Sequence, residues 1–545
     1  MTRIQLSLSE LNVSSFRSNQ QVATEFSNLL SHGNIQLQDL FLDILKENMQ
    51  PVEPLHYTTK RERQHPAFLY IMRQELINVE LPFPGLAQDQ IQQLCQISAF
   101  MSSSSKTSQL GQSETPTARM YADVRGPYLV SSLQNLATAS INTTKKKSPN
   151  AMYRQGTNGI GMYANALEGI FLAEYDNIRK IFPLEERGFV FDITCRKPLA
   201  EFAKTLRELN IHIKANLTTD CFLAYEVVDI VTPLALRLEA KTGELMGLLS
   251  DAVKPIRETA KSSLSDLLDD VRRKIQALMV LPTDGASVPI TAETMSRLQE
   301  MTSYSRPLAS IMTSVGDANW TSPPSTGSSN STTTLKSIDV GADGHQLLAS
   351  YVTDTIDIVL SNLETKARIL LKSKSVLGVF IANNVSVVDR MVRSSGLLSL
   401  LSGSTSVTRL ETWRKKGTGL YLDAWRDPSS HLLDVQYTNR SMRPPSGSSG
   451  IIDSTAVIKG LSSKDKDAIK EKFKAFNTSF EELSVKHKSL SMEREVRSSL
   501  AREVQGMIEP LYGRFWDRYH EIDKGKGKYV KYDKGSLAAQ LASMA

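Results

Sequence analysis

The stretch ETAKSSLSDLLDDVRR (Glu258–Arg273) decides the fold class. Its apolar residues and their continuation fall at Leu264, Leu267, Leu268, Val271, Ile275 and Leu278. Steps of three and four place them in one stripe of a 3.6-residue helix, with Asp, Arg and Lys on the wet face.

The same period recurs at Phe171, Tyr175, Ile178, Phe182; at Val352, Ile356, Val359, Leu363, Leu370; and at Ile469, Phe473, Phe476, Phe480, Leu483. No convincing pair of strands joined by an Asn-Gly or Asp-Gly turn appears. The chain reads as all-α, an elongated rod of stacked antiparallel helical bundles. A 7% aromatic content agrees with this class, because all-β chains need more aromatic and β-branched residues.

Breaks between the stripes come where Gly, Pro and Ser cluster: Ser102–Thr117, Thr143–Gly161, Thr321–Thr334 and Ser441–Gly450. Such clusters neither continue a helix nor supply apolar mass. Pro183, Pro198, Pro233, Pro255 and Pro282 are expected to punctuate the central region into helices of roughly four to eight turns. No fixed-period repeat is present.

At 545 residues the chain can bury large cores, and its net charge of +6 is too small for a general polyanion binder. Cys95, Cys195 and Cys221 are odd in number and far apart, which reads as reduced, buried thiols in a cytosolic protein. No window approaches about 18 uninterrupted apolar residues, so any membrane work is done at the surface.

Candidate chemistry is sparse. Gly156-Thr-Asn-Gly-Ile-Gly161 has the look of a phosphate loop, but it follows no strand and runs into a helix, so it reads as a helix entry turn. The eight histidines form no HExxH or close pair, which argues against zinc. No nucleophile elbow, SxxK or P-loop is present, and Asp269-Asp270 reads as exposed helix surface. An enzyme is the least favoured class, and no cofactor is expected.

What remains is charge placement. Lys524, Lys526, Lys528, Lys531 and Lys534 face one acid, Asp533, in KGKGKYVKYDK, and read as almost free of local partners. On the helix beginning near Lys464, Lys466, Lys470 and Lys474 share one stripe about a quarter turn from the Ile469/Phe473/Phe476/Phe480 core face. Tyr529 and Tyr532 can pack on the last bundle or sit at a lipid interface. Each lysine near an anionic leaflet contributes on the order of 1 kcal/mol, so about six give a dissociation constant of roughly 10 to 100 μM. Docking of this kind is transient unless a multivalent head group or a protein contact adds to it. The alternative is a nucleic-acid-binding helical array using the same basic end. The lysines carry neither base-reading positions nor stacking aromatics, so no nucleic-acid partner is expected.

The segments TNGIGMYANALEGIFLAEYDN after Gly156, FDITCRKPLAEFAKTL (Phe191–Leu206), Glu258–Arg273, FIANNVSVVDRM (Phe380–Met391), KDKDAIKEKFKAFN (Lys464–Asn477) and KYVKY (Lys528–Tyr532) together resemble the 70-kDa subunit of the exocyst tethering complex, in its fungal form. The likeness runs from about Ser15 to Tyr532. It implies a non-catalytic rod of four helical bundles that tethers secretory vesicles to the plasma membrane at sites of polarised growth, bud or septum. It also implies a last bundle that binds phosphatidylinositol 4,5-bisphosphate and anionic plasma-membrane lipids, with other exocyst subunits and a Rho-family GTPase as further partners.

Matched residue by residue, the lipid site falls on Lys528 and Lys531 in KYVKY and on Lys466 and Lys470 in KDKDAIKEKF, with Lys472 and Lys474 as additions. The expected division is 1–155 for a first bundle with a remnant of an N-terminal helix, 156–320 for a second, 321–340 for a Ser/Thr/Pro-rich linker, 341–455 for a third and 456–545 for the basic bundle. The tail DKGSLAAQLASMA is poor in large apolar residues and is expected to pack loosely.

Overall fold

A computed structural model describes residues 4, 6–8, 10, 17–47, 49–58, 83–105, 115–144, 151–316, 320, 343–402, 404–433 and 454–545. Every regular element among them is helical, so the all-α expectation holds. Two compact units divide the chain, residues 1–263 and 264–545.

The first unit contains α1 (Arg17–Lys46), α2 (Leu55–Thr58), α3 (Gln88–Ser105), α4 (Pro116–Asn142), α5 (Ile160–Ile181), α6 (Leu184–Ala215), α7 (Leu217–Thr242) and the start of α8 (Met246–Gln276). Helix ends fall within the expected breaks, α3 ending at Ser105 and α4 beginning at Pro116, then α4 ending at Asn142 and α5 beginning at Ile160, but Ser102–Ser105 still belong to α3. Thr321–Thr334 and Ser441–Gly450 lie outside the described residues. In the interior, Arg125 grips Glu174 with two bonds, Nε to Oε1 at 2.9 Å and Nη2 to Oε2 at 2.6 Å. Both residues are buried, and a paired guanidinium and carboxylate can be buried together where either alone could not.

The prolines are a correction. Pro183 caps α6 and Pro282 follows α8, but Pro198, Pro233 and Pro255 lie inside α6, α7 and α8. Each removes one backbone hydrogen bond. The apolar stripe of a 32-residue helix such as α6 buries enough surface to carry the chain through that loss. Local propensity loses to packing here.

The second unit continues with α9 (Pro289–Thr302), α10 (Ser305–Val315), α11 (Gly344–Leu370), α12 (Lys374–Arg393), α13 (Leu397–Leu400), α14 (Ser404–His431), α15 (Ser454–Lys459), α16 (Ser463–Ser489), α17 (Arg494–Tyr519), a 3-10 turn (His520–Asp523) and α18 (Lys534–Ala542). α12 is the one helix among the described residues with the length and hydropathy to cross a membrane, yet it is 78% buried and forms the centre of this unit. Glycines let α14 approach it. A Cβ on Gly378 would lie 2.5 Å from the Tyr421 amide nitrogen, and one on Gly417 would lie 3.1 Å from that of Ala382.

The Leu264 stripe is buried as read, through Leu267, Leu268, Val271 and Ile275. Asp269-Asp270 is a second correction. Asp269 pairs with Arg272 near the surface, whereas Asp270 is buried between Arg273 and Lys274, each at 3.0 Å, with Arg297 at 4.0 Å. Arg297 comes from α9, outside the view of local periodicity.

Candidate functional site

The basic end is built on α16. Ser462 caps the helix by accepting from the Asp465 amide at 3.1 Å, and its hydroxyl donates to the Asp465 carboxylate. Ile469, Phe473, Phe476 and Phe480 are fully buried. Phe473 meets Phe515 with ring centroids 4.9 Å apart, and Phe476 meets Tyr512 at 5.0 Å. With that face fixed against α17, Lys474 is exposed while Lys466 and Lys470 are half-buried, so the four-residue spacing leaves the three less evenly exposed than one stripe on the wet face implies.

The second half of the site returns from the far end of α17. After the 3-10 turn the chain reverses through Lys524, Gly525 and Gly527, all at positive φ (45°, 71° and 66°). The buried Asp523 carboxylate accepts from the Tyr529 amide at 2.9 Å and the Val530 amide at 3.4 Å. Asn477 on α16 donates to the Tyr529 carbonyl at 2.8 Å, and the Tyr512 hydroxyl donates to the Tyr532 carbonyl at 2.7 Å. The Tyr532 hydroxyl in turn donates to Glu481 at 2.8 Å, and its pKa rises to about 12 through burial and the Glu481 charge. Tyr529 and Tyr532 therefore face the bundle, and Lys528 and Lys531 face water.

Folding brings the two lysine groups together on one ring. Lys470 Nζ lies 5.8 Å from the Tyr529 centroid and Lys528 Nζ lies 5.4 Å from it. A ring quadrupole attracts a cation over its face, so Tyr529 eases the approach of two like charges.

The expectation that Lys524, Lys526, Lys528, Lys531 and Lys534 are almost free of local partners is corrected in part, and two lysines of the α16 stripe are paired as well. Lys531 pairs with Glu481 and Lys534 with Asp517, each at 2.5 Å. Lys470 pairs with Asp467 at 3.0 Å and Lys474 with Glu471 at 4.0 Å. The Asp467 hydrogen bond raises the Lys470 pKa, and the Lys531 hydrogen bond lowers that of Glu481. All four ammonium groups keep substantial exposure, and exposed pairs of this kind are weak and salt-screened. Lys466, Lys524, Lys526 and Lys528 have no carboxylate within 4.0 Å among the described residues. Lys472 is turned away, donating to the Leu433 carbonyl at 2.6 Å.

The tail is the last correction. α18 opens with a capping box between Asp533 and Ser536, which lowers the Asp533 pKa, and it buries Leu537, Leu541 and Met544. Buried His487 shares a hydrogen bond with the Tyr421 hydroxyl at 2.5 Å through Nδ1 and another with the Met544 carbonyl at 2.9 Å through Nε2. Three apolar side chains at the right spacing suffice to dock it.

The other candidates read from the sequence lie among the described residues. No three His, Cys, Asp or Glu side chains there group as metal ligands. The glycine-rich turn at Gly156 already has a partner, because its amide donates to the Glu226 carboxylate at 3.1 Å, and a carboxylate in that place repels a phosphate. Cys195 and Cys221 are buried and Cys95 half-buried, with no disulfide among them.

The described residues of the second unit make a helical scaffold with a cationic face, the form of a binding surface. Known proteins make this specific. Residues 157–543 match the family model for the C-terminal part of the Exo70 exocyst complex subunit. The exocyst complex protein exo70 of Neurospora crassa is 48% identical over 99% of this chain and 82% of its own length. The counterpart in Gibberella zeae is 49% identical over 100% of this chain and 82% of its own. In fold, the chain superposes on Saccharomyces cerevisiae Exo70 with a TM-score of 0.72, at 22% identity, covering 100% of this chain and 94% of that one. The chain belongs to the Exo70 family of exocyst subunits. It is a non-enzymatic component in the vesicle-tethering step of secretion.

Proposed function

We propose that this exocyst subunit docks on the inner face of the plasma membrane by holding phosphatidylinositol 4,5-bisphosphate, amid other anionic lipids, on Lys466, Lys470, Lys474, Lys528 and Lys531. The observation that carries the reading is the convergence of Lys470 and Lys528 over Tyr529, on a loop fixed by Asp523, Asn477 and Tyr512. A preset cluster of ammonium groups suits a compact head group bearing several phosphates, since lysine acts as a point charge approachable from many directions. The acids beside Lys470 and Lys474 are exposed, so a multivalent anion can displace them, whereas Glu481 beside Lys531 is half-buried and also accepts from the Tyr532 hydroxyl.

In this reading the membrane contact is one of several weak ones. Other exocyst subunits and a Rho-family GTPase on further surfaces supply the avidity that turns transient docking at sites of polarised growth into tethering. The bundle that carries the site is the last of four, residues 456–545.

The test is sedimentation with vesicles containing phosphatidylinositol 4,5-bisphosphate at near-physiological salt. Charge reversal at Lys528 and Lys531 is expected to weaken binding at least tenfold with an unchanged melting temperature. Lys531→Glu also confronts Glu481, so Lys528→Glu alone serves as the cleaner variant. Binding equal to wild type for both would defeat the proposal. RNA binding with a steep salt slope and no inositol-lipid preference would move the reading to a nucleic-acid partner.

A further inference from the structure

We propose that a second surface of the 264–545 unit, an apolar tip ringed by lysines where three helix C-termini meet, enters the interface of an anionic bilayer. This rests on the reading above that the chain works at such a membrane, but it uses different residues.

Two hydrogen bonds set α8 and α11 side by side with the same polarity. The Tyr351 hydroxyl donates to the Leu264 carbonyl at 3.0 Å, and Lys366 Nζ donates to the Gln276 carbonyl at 2.8 Å. Advancing along one helix therefore advances along the other, and their C-terminal ends emerge together. The end of α16 arrives at the same place, with Lys486 Nζ donating to the Ser373 hydroxyl at 2.6 Å and the Ser491 amide to the Asp284 carbonyl at 2.9 Å.

At this junction Met279, Val280 and Ile369 are 82%, 79% and 74% exposed, among the most exposed large apolar residues in the unit. The backbone holds them out. Leu281 is buried immediately after them, Asn383 donates to the Gly285 carbonyl at 2.7 Å, and Gly285 sits at φ 79° where a Cβ would come within 2.9 Å of Val379. A loop pinned this close on one side presents Met279 and Val280 as a fixed feature.

The rim is cationic. Lys366, Lys372, Lys374 and Lys486 have no carboxylate within 4.0 Å among the described residues. Attraction to the negative end of a helix accounts for basic residues in a last turn, but it gives no reason to expose Met279, Val280 and Ile369. Lysine is depleted from protein–protein contacts. At a bilayer surface the preference reverses: apolar side chains enter the headgroup boundary, and lysine stems lie along the apolar surface while their ammonium groups meet lipid phosphates. Apolar centre and lysine rim together select a lipid surface over a protein.

Full-length protein carrying Val280→Trp, mixed with vesicles of phosphatidylcholine, phosphatidylserine and phosphatidylinositol 4,5-bisphosphate, reads insertion directly. Brominated phosphatidylcholine is expected to quench the added indole beyond any quenching in wild type. Met279→Asp with Val280→Asp is expected to lower vesicle affinity about tenfold, the equivalent of one apolar side chain left in water, with no shift in melting temperature because both positions are exposed. If the Val280→Trp protein sediments with vesicles but shows no added quenching, or if the double aspartate variant binds like wild type, the tip proposal is overturned and a protein partner becomes its occupant. In that outcome a loss of binding by Lys528→Glu still leaves the lysine face standing. Wild-type protein that fails to sediment at all overturns both.

Discussion

Replacing Asp523 by alanine separates charge from geometry in the lysine face. Bulk electrostatics alone makes this variant a better membrane binder, since it deletes an acid from a cationic surface and gains on the order of 1 kcal/mol of attraction. The structure predicts the opposite sign. The Asp523 carboxylate is buried and accepts from the amides of Tyr529 at 2.9 Å and Val530 at 3.4 Å, the two bonds that close the reversal through Lys524, Gly525 and Gly527. The first is a well-formed charge-assisted bond and the second is marginal, so together they contribute about 2 kcal/mol to closing the loop.

Losing that much makes local opening about 30-fold more frequent. The amide of Lys526, which donates to the Asp523 carbonyl at 3.0 Å, should then exchange with deuterium at a rate raised by about the same factor while the amides of α16 keep their protection. Affinity for vesicles carrying phosphatidylinositol 4,5-bisphosphate should fall, because only the closed loop sets Lys528 and Lys470 at the same Tyr529 ring. Hydrogen exchange with mass detection on peptides covering 520–533, paired with vesicle sedimentation, measures both. Binding by Asp523→Ala at or above the wild-type level would refute the claim that a preset geometry, not summed charge, makes the site.

Two further outcomes follow from the packing. His487 is buried against Tyr421 and Met544, and burial together with Arg497 and Lys488 holds its pKa below the usual value. The unfolded chain therefore takes up the proton first, so stability is fully present above about pH 6.5 and declines below it by up to about 1.4 kcal/mol per pH unit until the folded pKa is reached. Thermal melts of wild type and His487→Gln between about pH 7.5 and 5 should converge as the pH falls. Gly378→Val should cost more than about 3 kcal/mol or prevent folding, because its Cβ would press within 2.5 Å of the Tyr421 backbone, which cannot yield. A melting temperature within a few degrees of wild type would show that α12 and α14 are not locked as described.

Periodicity carried the fold. Ile469, Phe473, Phe476 and Phe480 are all at zero exposure, and the Leu264 stripe is buried through Ile275, since a repeat of three and four has one physical solution for a chain in water. What local reading lost were effects arriving from elsewhere in the chain. Pro198, Pro233 and Pro255 look like breaks until the packing of whole helices outweighs one missing hydrogen bond each. Asp270 looks solvated until Arg297 comes across from α9. At the candidate site, the Lys466–Lys470–Lys474 stripe was legible because it lies on one helix. The meeting of Lys470 with Lys528 depends on Asn477 reaching Tyr529, 52 residues on, and the acids opposite Lys531 and Lys534 are Glu481 and Asp517, likewise distant. Spacing within a segment shows what a face offers; only closure of the chain shows what meets it.

The lysine loop hangs from Tyr512, whose ring is wedged among Phe473 and Phe476 in the middle of the aromatic interior while its hydroxyl holds the Tyr532 carbonyl. The position of the lysine loop is thereby wired to the integrity of that interior. If the lysine face is the membrane contact proposed above, a copy whose last helices have come apart loses that contact in the same event, and damaged molecules drop away instead of lingering as defective tethers.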